Sequence, residues 1–111
     1  MKSRLASAKY AVLVALAFSG AGVVAQSVHF SEFNKTVARI GVQGSFYYVG
    51  FSEPLSQTCQ WGNVYIDADK KAIYTQFLAA KLAGKRLSRV DIGQPGGNGT
   101  QCTVELVELS E

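Results

Sequence analysis

A small, mostly β domain with one helix and one disulfide is the fold class this sequence predicts, and three observations carry that prediction. Several short stretches alternate apolar and polar residues with period two, as half-buried strands do. One stretch, around Ile73, Phe77 and Ala80, repeats with helical spacing instead. The two cysteines, Cys59 and Cys102, bracket that helix and the strand expected after it.

The first segment is an address. Residues 1–25 read MKSRLASAKYAVLVALAFSGAGVVA, with Lys2, Arg4 and Lys9 as a basic start, an apolar core from Ala11 to Phe18, and Val23-Val24-Ala25 as a small-residue cleavage site. The pattern predicts a secretory signal peptide. The apolar run falls short of the roughly 18 to 20 residues that a membrane span needs, so no stable membrane insertion is expected after cleavage.

Cleavage changes the charge argument. The whole chain carries 11 Lys+Arg against 8 Asp+Glu, a net charge of +3, and the surplus lies entirely in the leader. Residues 26–111 therefore balance, which argues against nucleic acid or anionic lipid as a partner. The short cluster Gly84–Arg89, GKRLSR, reads as the solvated face of a strand.

Residues 26–111 suffice for one domain with a thin core, for which a covalent staple matters. In an exported chain with two cysteines, Cys59 and Cys102 form one disulfide in the simplest reading, worth roughly 3 to 4 kcal/mol by restriction of the unfolded chain. A metal site would need more ligands than two distant thiols and the single His29, and a redox pair would be spaced C-x-x-C.

The first strand is expected over Thr36–Gly44, TVARIGVQG, where Ala38, Ile40 and Val42 share one face and Arg39 and Gln43 the other. The Gly41–Gly44 neighbourhood suits a hairpin turn or a bulge, and SFYYVGF, Ser45–Phe51, follows as a second strand with aromatic residues on both faces. A polar loop with Pro54 leads to a short third strand in NVYID, Asn63–Asp67, with Val64 and Ile66 inward.

Asp67 or Asp69 is placed to cap the helix. Its face carries Ile73, Phe77 and Ala80 beside Tyr74 and Leu78, and Gly84 supplies its stop. Lys81 falls inside the face by count, so its stem should lie on the sheet with the amine reaching water. RLSRVDI, Arg86–Ile92, is the fourth strand, with Val90 and Ile92 on one face, and QPGGNGTQ is a loop. CTVELVEL, Cys102–Leu109, is the fifth strand, and its inward phase slips between Leu106 and Val107, as at a bulge.

The resulting order, β-β-β-α-β-β, is that of an OB-fold, a five-stranded, partly open barrel plugged by the helix. A resemblance joins it here. A leader, strands, a cysteine shortly before WGNVYID, a helix containing FLAAKLAGK, a strand, and a second cysteine opening the last strand are similar to small secreted bacterial proteins related to the B subunits of ring-forming toxins, such as that of subtilase cytotoxin. The resemblance covers most of Gln26–Leu109 and rests on element order and cysteine placement. It implies an OB-fold that can assemble as a homo-pentamer and bind glycans.

No catalytic constellation is readable. The one histidine, His29, has no serine or cysteine partner in a recognisable motif, Asp67 and Asp69 lack the further ligands of a calcium loop, and GGNGT lacks the lysine of a phosphate loop. No cofactor, metal site or enzymatic activity is expected. The candidate ligand residues are Trp61, Tyr47, Tyr48 and Tyr65, whose amphipathic rings can stack on a ligand while a hydroxyl hydrogen-bonds. Phe46 and Phe51 are expected in the core. Two functions follow: a periplasmic or secreted glycan-binding module resembling a toxin B subunit, or a monomeric periplasmic interaction or stress protein that binds another protein or a small ligand.

Overall fold

The computed structural model describes residues 26–111, and the leader assigned to residues 1–25 lies outside the described residues. Six strands and one α-helix follow one another: β1 (Val28–Lys35), β2 (Val37–Gln43), β3 (Phe46–Phe51), a 3-10 turn (Gln60–Gly62), β4 (Val64–Ile66), α1 (Lys71–Ala83), β5 (Leu87–Gln94) and β6 (Cys102–Leu109). The expected count was five.

The additional strand is β1, and its side chains explain why alternation missed it. Its buried positions include Glu32 and Lys35, while Phe33 is 58% exposed, so the usual pattern is inverted. Glu32 and Lys35 pair at 3.3 Å. Glu32 also accepts hydrogen bonds from the Ser56 amide and hydroxyl, and Lys35 donates to the Pro54 carbonyl at 2.7 Å. Two buried charges are tolerable because each is paired and hydrogen-bonded.

The strands form one sheet in the order β1-β5-β6-β4-β3-β2, antiparallel except for the parallel β4–β6 pair. Its outermost strands, β1 and β2, are consecutive in the chain with only Thr36 between them. In a flat sheet they would lie about 24 Å apart, five strand spacings, whereas the chain covers about 7 Å from Lys35 to Val37. The sheet is therefore rolled. β1 and β2 do not pair with each other, so the hydrogen-bonded order stays open and no closed barrel forms.

The concave side holds the core: Val49, Val64, Ile66, Phe77, Ala80, Leu87, Val90, Ile92, Cys102 and Val104 are fully buried. The helix packs there through Phe77, whose ring lies 6.1 Å from that of Phe51. Its end is as expected, since Gly84 sits at φ 68°, where a side chain would be strained. Its start differs. Neither Asp67 nor Asp69 caps it; Lys70 occupies that position without a side-chain cap, and the Asp67 carbonyl instead accepts from the Lys70 amide in a tight turn. Lys81 donates to the Ala38 carbonyl at 3.1 Å, beside the register shift between Val37 and Arg39.

Gly44, at φ 60°, turns the β2–β3 hairpin. The phase slip in β6 is a bulge at Glu105, one residue before the expected place: Asp91 faces Leu106 and Ile92 faces Val104.

Cys59 and Cys102 are bonded, with 5.4 Å between their Cα atoms across a sequence separation of 43. The glycine-rich loop is stitched to the same place. The Gln60 amide donates to the Thr100 carbonyl, Gly99 donates to Thr58, and the fully buried Gln94 amide nitrogen bridges the Thr58 and Thr100 carbonyls.

Two predictions follow from this framework. Cys59→Ser and Cys102→Ser should each destabilise by roughly 2 to 4 kcal/mol, and the double variant by about the same, because one bond is lost in all three. Urea melts with and without reductant, beside a thiol titration of the denatured, oxidised protein, measure this; two free thiols or an unmoved midpoint would contradict it.

The second concerns acid. The Thr36 amide and hydroxyl, with Arg86 nearby, lower the Glu53 pKa, and the Arg89 guanidinium, then the Ser31 hydroxyl, lower that of Asp91. Folding thus favours the charged carboxylates. Their contribution is complete above the ordinary carboxylate pKa of about 4 and is lost as pH falls through the lower folded values. The urea midpoint should hold down to about pH 5 and decline below about 4, with a shallower decline in Glu53→Gln. An identical acid profile for that variant would sink the assignment.

Candidate functional site

Successive side chains of a strand point to opposite faces, so the convex side of β2 carries Arg39, Gly41 and Gln43. Register sets Gly41 opposite Tyr48 and Tyr48 opposite Tyr65, which aligns three strands into one row. A Cβ on Gly41 would strike the Tyr48 ring, so the glycine is the berth across which that ring lies. The Tyr48 and Tyr65 rings are 6.2 Å apart. The Tyr65 hydroxyl donates to the Gln43 side-chain oxygen at 3.3 Å.

Trp61 completes the group from the 3-10 turn before β4. Its ring stands edge-on to Tyr65, centroids 6.1 Å apart at 73°. It is 67% exposed, whereas Tyr65 beneath it is 6% exposed. Its backbone has φ 62° and ψ 9°, the left-handed region, which costs a bulky residue about 1 to 3 kcal/mol. The turn is held by the neighbouring Cys59 disulfide, the Gly62 amide bonded to the Cys59 carbonyl, and the Gln60 amide bonded to Thr100. A strained backbone thus holds an indole out in solvent.

Of the four aromatic residues singled out from the sequence, Trp61, Tyr48 and Tyr65 meet, with Tyr65 as a buried support. Tyr47 does not join them. It points to the helix side and stacks on Tyr74, centroids 4.1 Å apart. Phe51 packs against the core as expected, but Phe46, near the hairpin tip, is 45% exposed. His29 lies on β1 opposite Gly93, with its Nδ1 3.3 Å from Glu105.

The polar border of this face, Arg39 and Gln43, lies outside the residues singled out from the sequence. Arg39 donates from Nη2 to the Asn63 side-chain oxygen at 2.6 Å, and Gln43 meets Tyr65. The signal was present, because Arg39 and Gln43 alternate against Ile40 and Val42. Among the described residues no group of three or more His, Cys, Asp or Glu could hold a metal ion, and no helix is long and apolar enough to cross a membrane.

The exposed, left-handed Trp61 separates a display role from a packing role. Trp61→Gly should change stability by no more than about 1 kcal/mol, since relief of the backbone offsets lost contact area and added chain entropy. A packed tryptophan would cost about 3 to 5 kcal/mol when truncated, and a loss of that size in a urea melt would refute the display reading.

No family model, curated protein or solved structure matches the chain.

Proposed function

We propose that this protein is a non-enzymatic binding module, exported to the periplasm or beyond, that takes a glycan on the convex face of β2–β4. The observation that carries this reading is Trp61: a large amphipathic ring, mostly exposed, held against its backbone preference beside a disulfide. An aromatic plane of this kind covers the apolar face of a sugar ring, while the Tyr48 hydroxyl and the Gln43 amide offer partners to its hydroxyls.

The continuity of β1 and β2 supports the finer fold reading. Taken as one long bent strand they reduce six strands to five, with the helix between the third and fourth, and the ends of that strand pair with opposite sides of the sheet. This order supports the OB-fold reading, in which the second and third strands form the usual ligand face. The disulfide supports an oxidising compartment. By resemblance to toxin B subunits, the working assembly is a ring of five.

The test is a glycan array probed with the mature protein and with Trp61→Ala, alongside sedimentation of both. Binding to a defined set of glycans, lost at least tenfold in Trp61→Ala and retained in Tyr47→Phe, is the expected result. A monomer without array binding that captures one periplasmic protein at stoichiometry would replace this reading with that of an interaction protein.

A further inference from the structure

A concavity distinct from the aromatic face lies beside Gly62, and Trp61 takes no part in lining it. It is an open cleft of about 520 Å³ between β2, the end of β3 and the segment that follows, with Phe51, Pro54 and Leu55 as apolar wall and Arg39, Ser52 and Thr58 as polar lining. Clefts of roughly 300 to 1,000 Å³ hold small organic ligands.

The cleft has a built wall. The buried Glu32 holds the Ser56 amide and hydroxyl, and Lys35 holds the Pro54 carbonyl, so the segment opposite Arg39 is fixed to β1 by charged groups. Arg39 is fixed as well. A Cβ on Gly50 would collide with its guanidinium, so the glycine lets that group lie against the sheet, and Asn63 anchors one nitrogen.

The guanidinium nevertheless lacks a counter-charge. Arg86 lies 3.4 Å from Glu53 and Arg89 lies 2.8 Å from Asp91, but Arg39 has no carboxylate within 4.0 Å among the described residues. Glu53 also lines the cleft, yet it is already bonded to Thr36 and Arg86.

We propose that the cleft binds a small organic carboxylate, with the Arg39 guanidinium on the carboxylate and Phe51, Pro54 and Leu55 along an apolar body. A planar two-oxygen anion matches a guanidinium fork through charge-assisted hydrogen bonds. A phosphate dianion fits less well, because Arg39 is the only cationic side chain in the lining.

The experiment is a chemical-shift titration of ¹⁵N-labelled mature protein with 3-phenylpropionate and with its neutral amide, 3-phenylpropionamide. The carboxylate should shift the Arg39 Nε–H signal and the amides of Ser52, Thr58 and Gly62, and bind at least tenfold more tightly than the amide. Arg39→Gln should lose that preference while keeping a native spectrum. Gly50→Ala, which keeps the charge but removes its berth, should weaken carboxylate binding. Trp61→Ala should leave it intact, which separates this cleft from the aromatic face. Equal binding of both probes, unchanged binding by Arg39→Gln, shifts confined to Trp61 and Tyr48, or no shift at tens of millimolar carboxylate would each overturn the proposal.

Discussion

The fold depends on one junction. Thr36 joins two strands that belong to opposite ends of the sheet order, so the sheet rolls around whatever holds that residue. Its amide donates to Glu53 at 2.6 Å, its hydroxyl donates to the same carboxylate at 2.8 Å, and its carbonyl accepts from the Ser52 amide at 3.0 Å. Both backbone polar groups of Thr36 are thereby satisfied, the amide by a side chain and the carbonyl by the residue just after β3. Arg86, just before β5, reaches the Asn34 carbonyl and Glu53, and draws a third part of the chain to the same corner.

The disulfide works on a different corner. It joins the turn before β4 to the first residue of β6, and β4 and β6 run parallel, a pairing that no tight hairpin can make. The chain must leave β4, form the helix and β5, and return. Cys59–Cys102 fixes the meeting place of that excursion, and the hydrogen bonds from Gln60, Gln94 and Gly99 seal the glycine-rich loop against it. Trp61 sits two residues from this bond, which is why its unfavourable backbone conformation can persist.

Much of this was legible, and the losses have physical causes. Val64, Ile66, Val90 and Ile92 are buried where alternation put them, Phe77 and Ala80 where helical spacing put them, and Gly84 ends the helix. β1 was illegible because its inward positions carry Glu32 and Lys35, whose partners, Ser56 and Pro54, lie in a loop some twenty residues away. The expected caps failed because Asp67 lies in the preceding turn and Lys70 stands at the helix start. At the aromatic face, alternation alone makes Tyr47 and Tyr48 equivalent candidates. Only the placement of the helix, with Tyr74 against Tyr47, decides which of them faces outward.

Both candidate sites depend on absent side chains as much as on present ones. Gly41 and Gly50 lie on the convex face of β2 and β3, and each is covered by a longer residue from the partner strand: Tyr48 over Gly41, Arg39 over Gly50. Gly93 repeats the arrangement on β5, with Glu105 lying over it and His29 beside it. A glycine in a strand sacrifices packing and chain entropy. Here each one leaves room for a ring, a guanidinium or a carboxylate to lie flat on the backbone instead of standing into solvent. A flat polar or aromatic surface results, with functional groups whose positions are set by the sheet rather than by their own rotamers, and preorganisation of that kind is what a binding face requires.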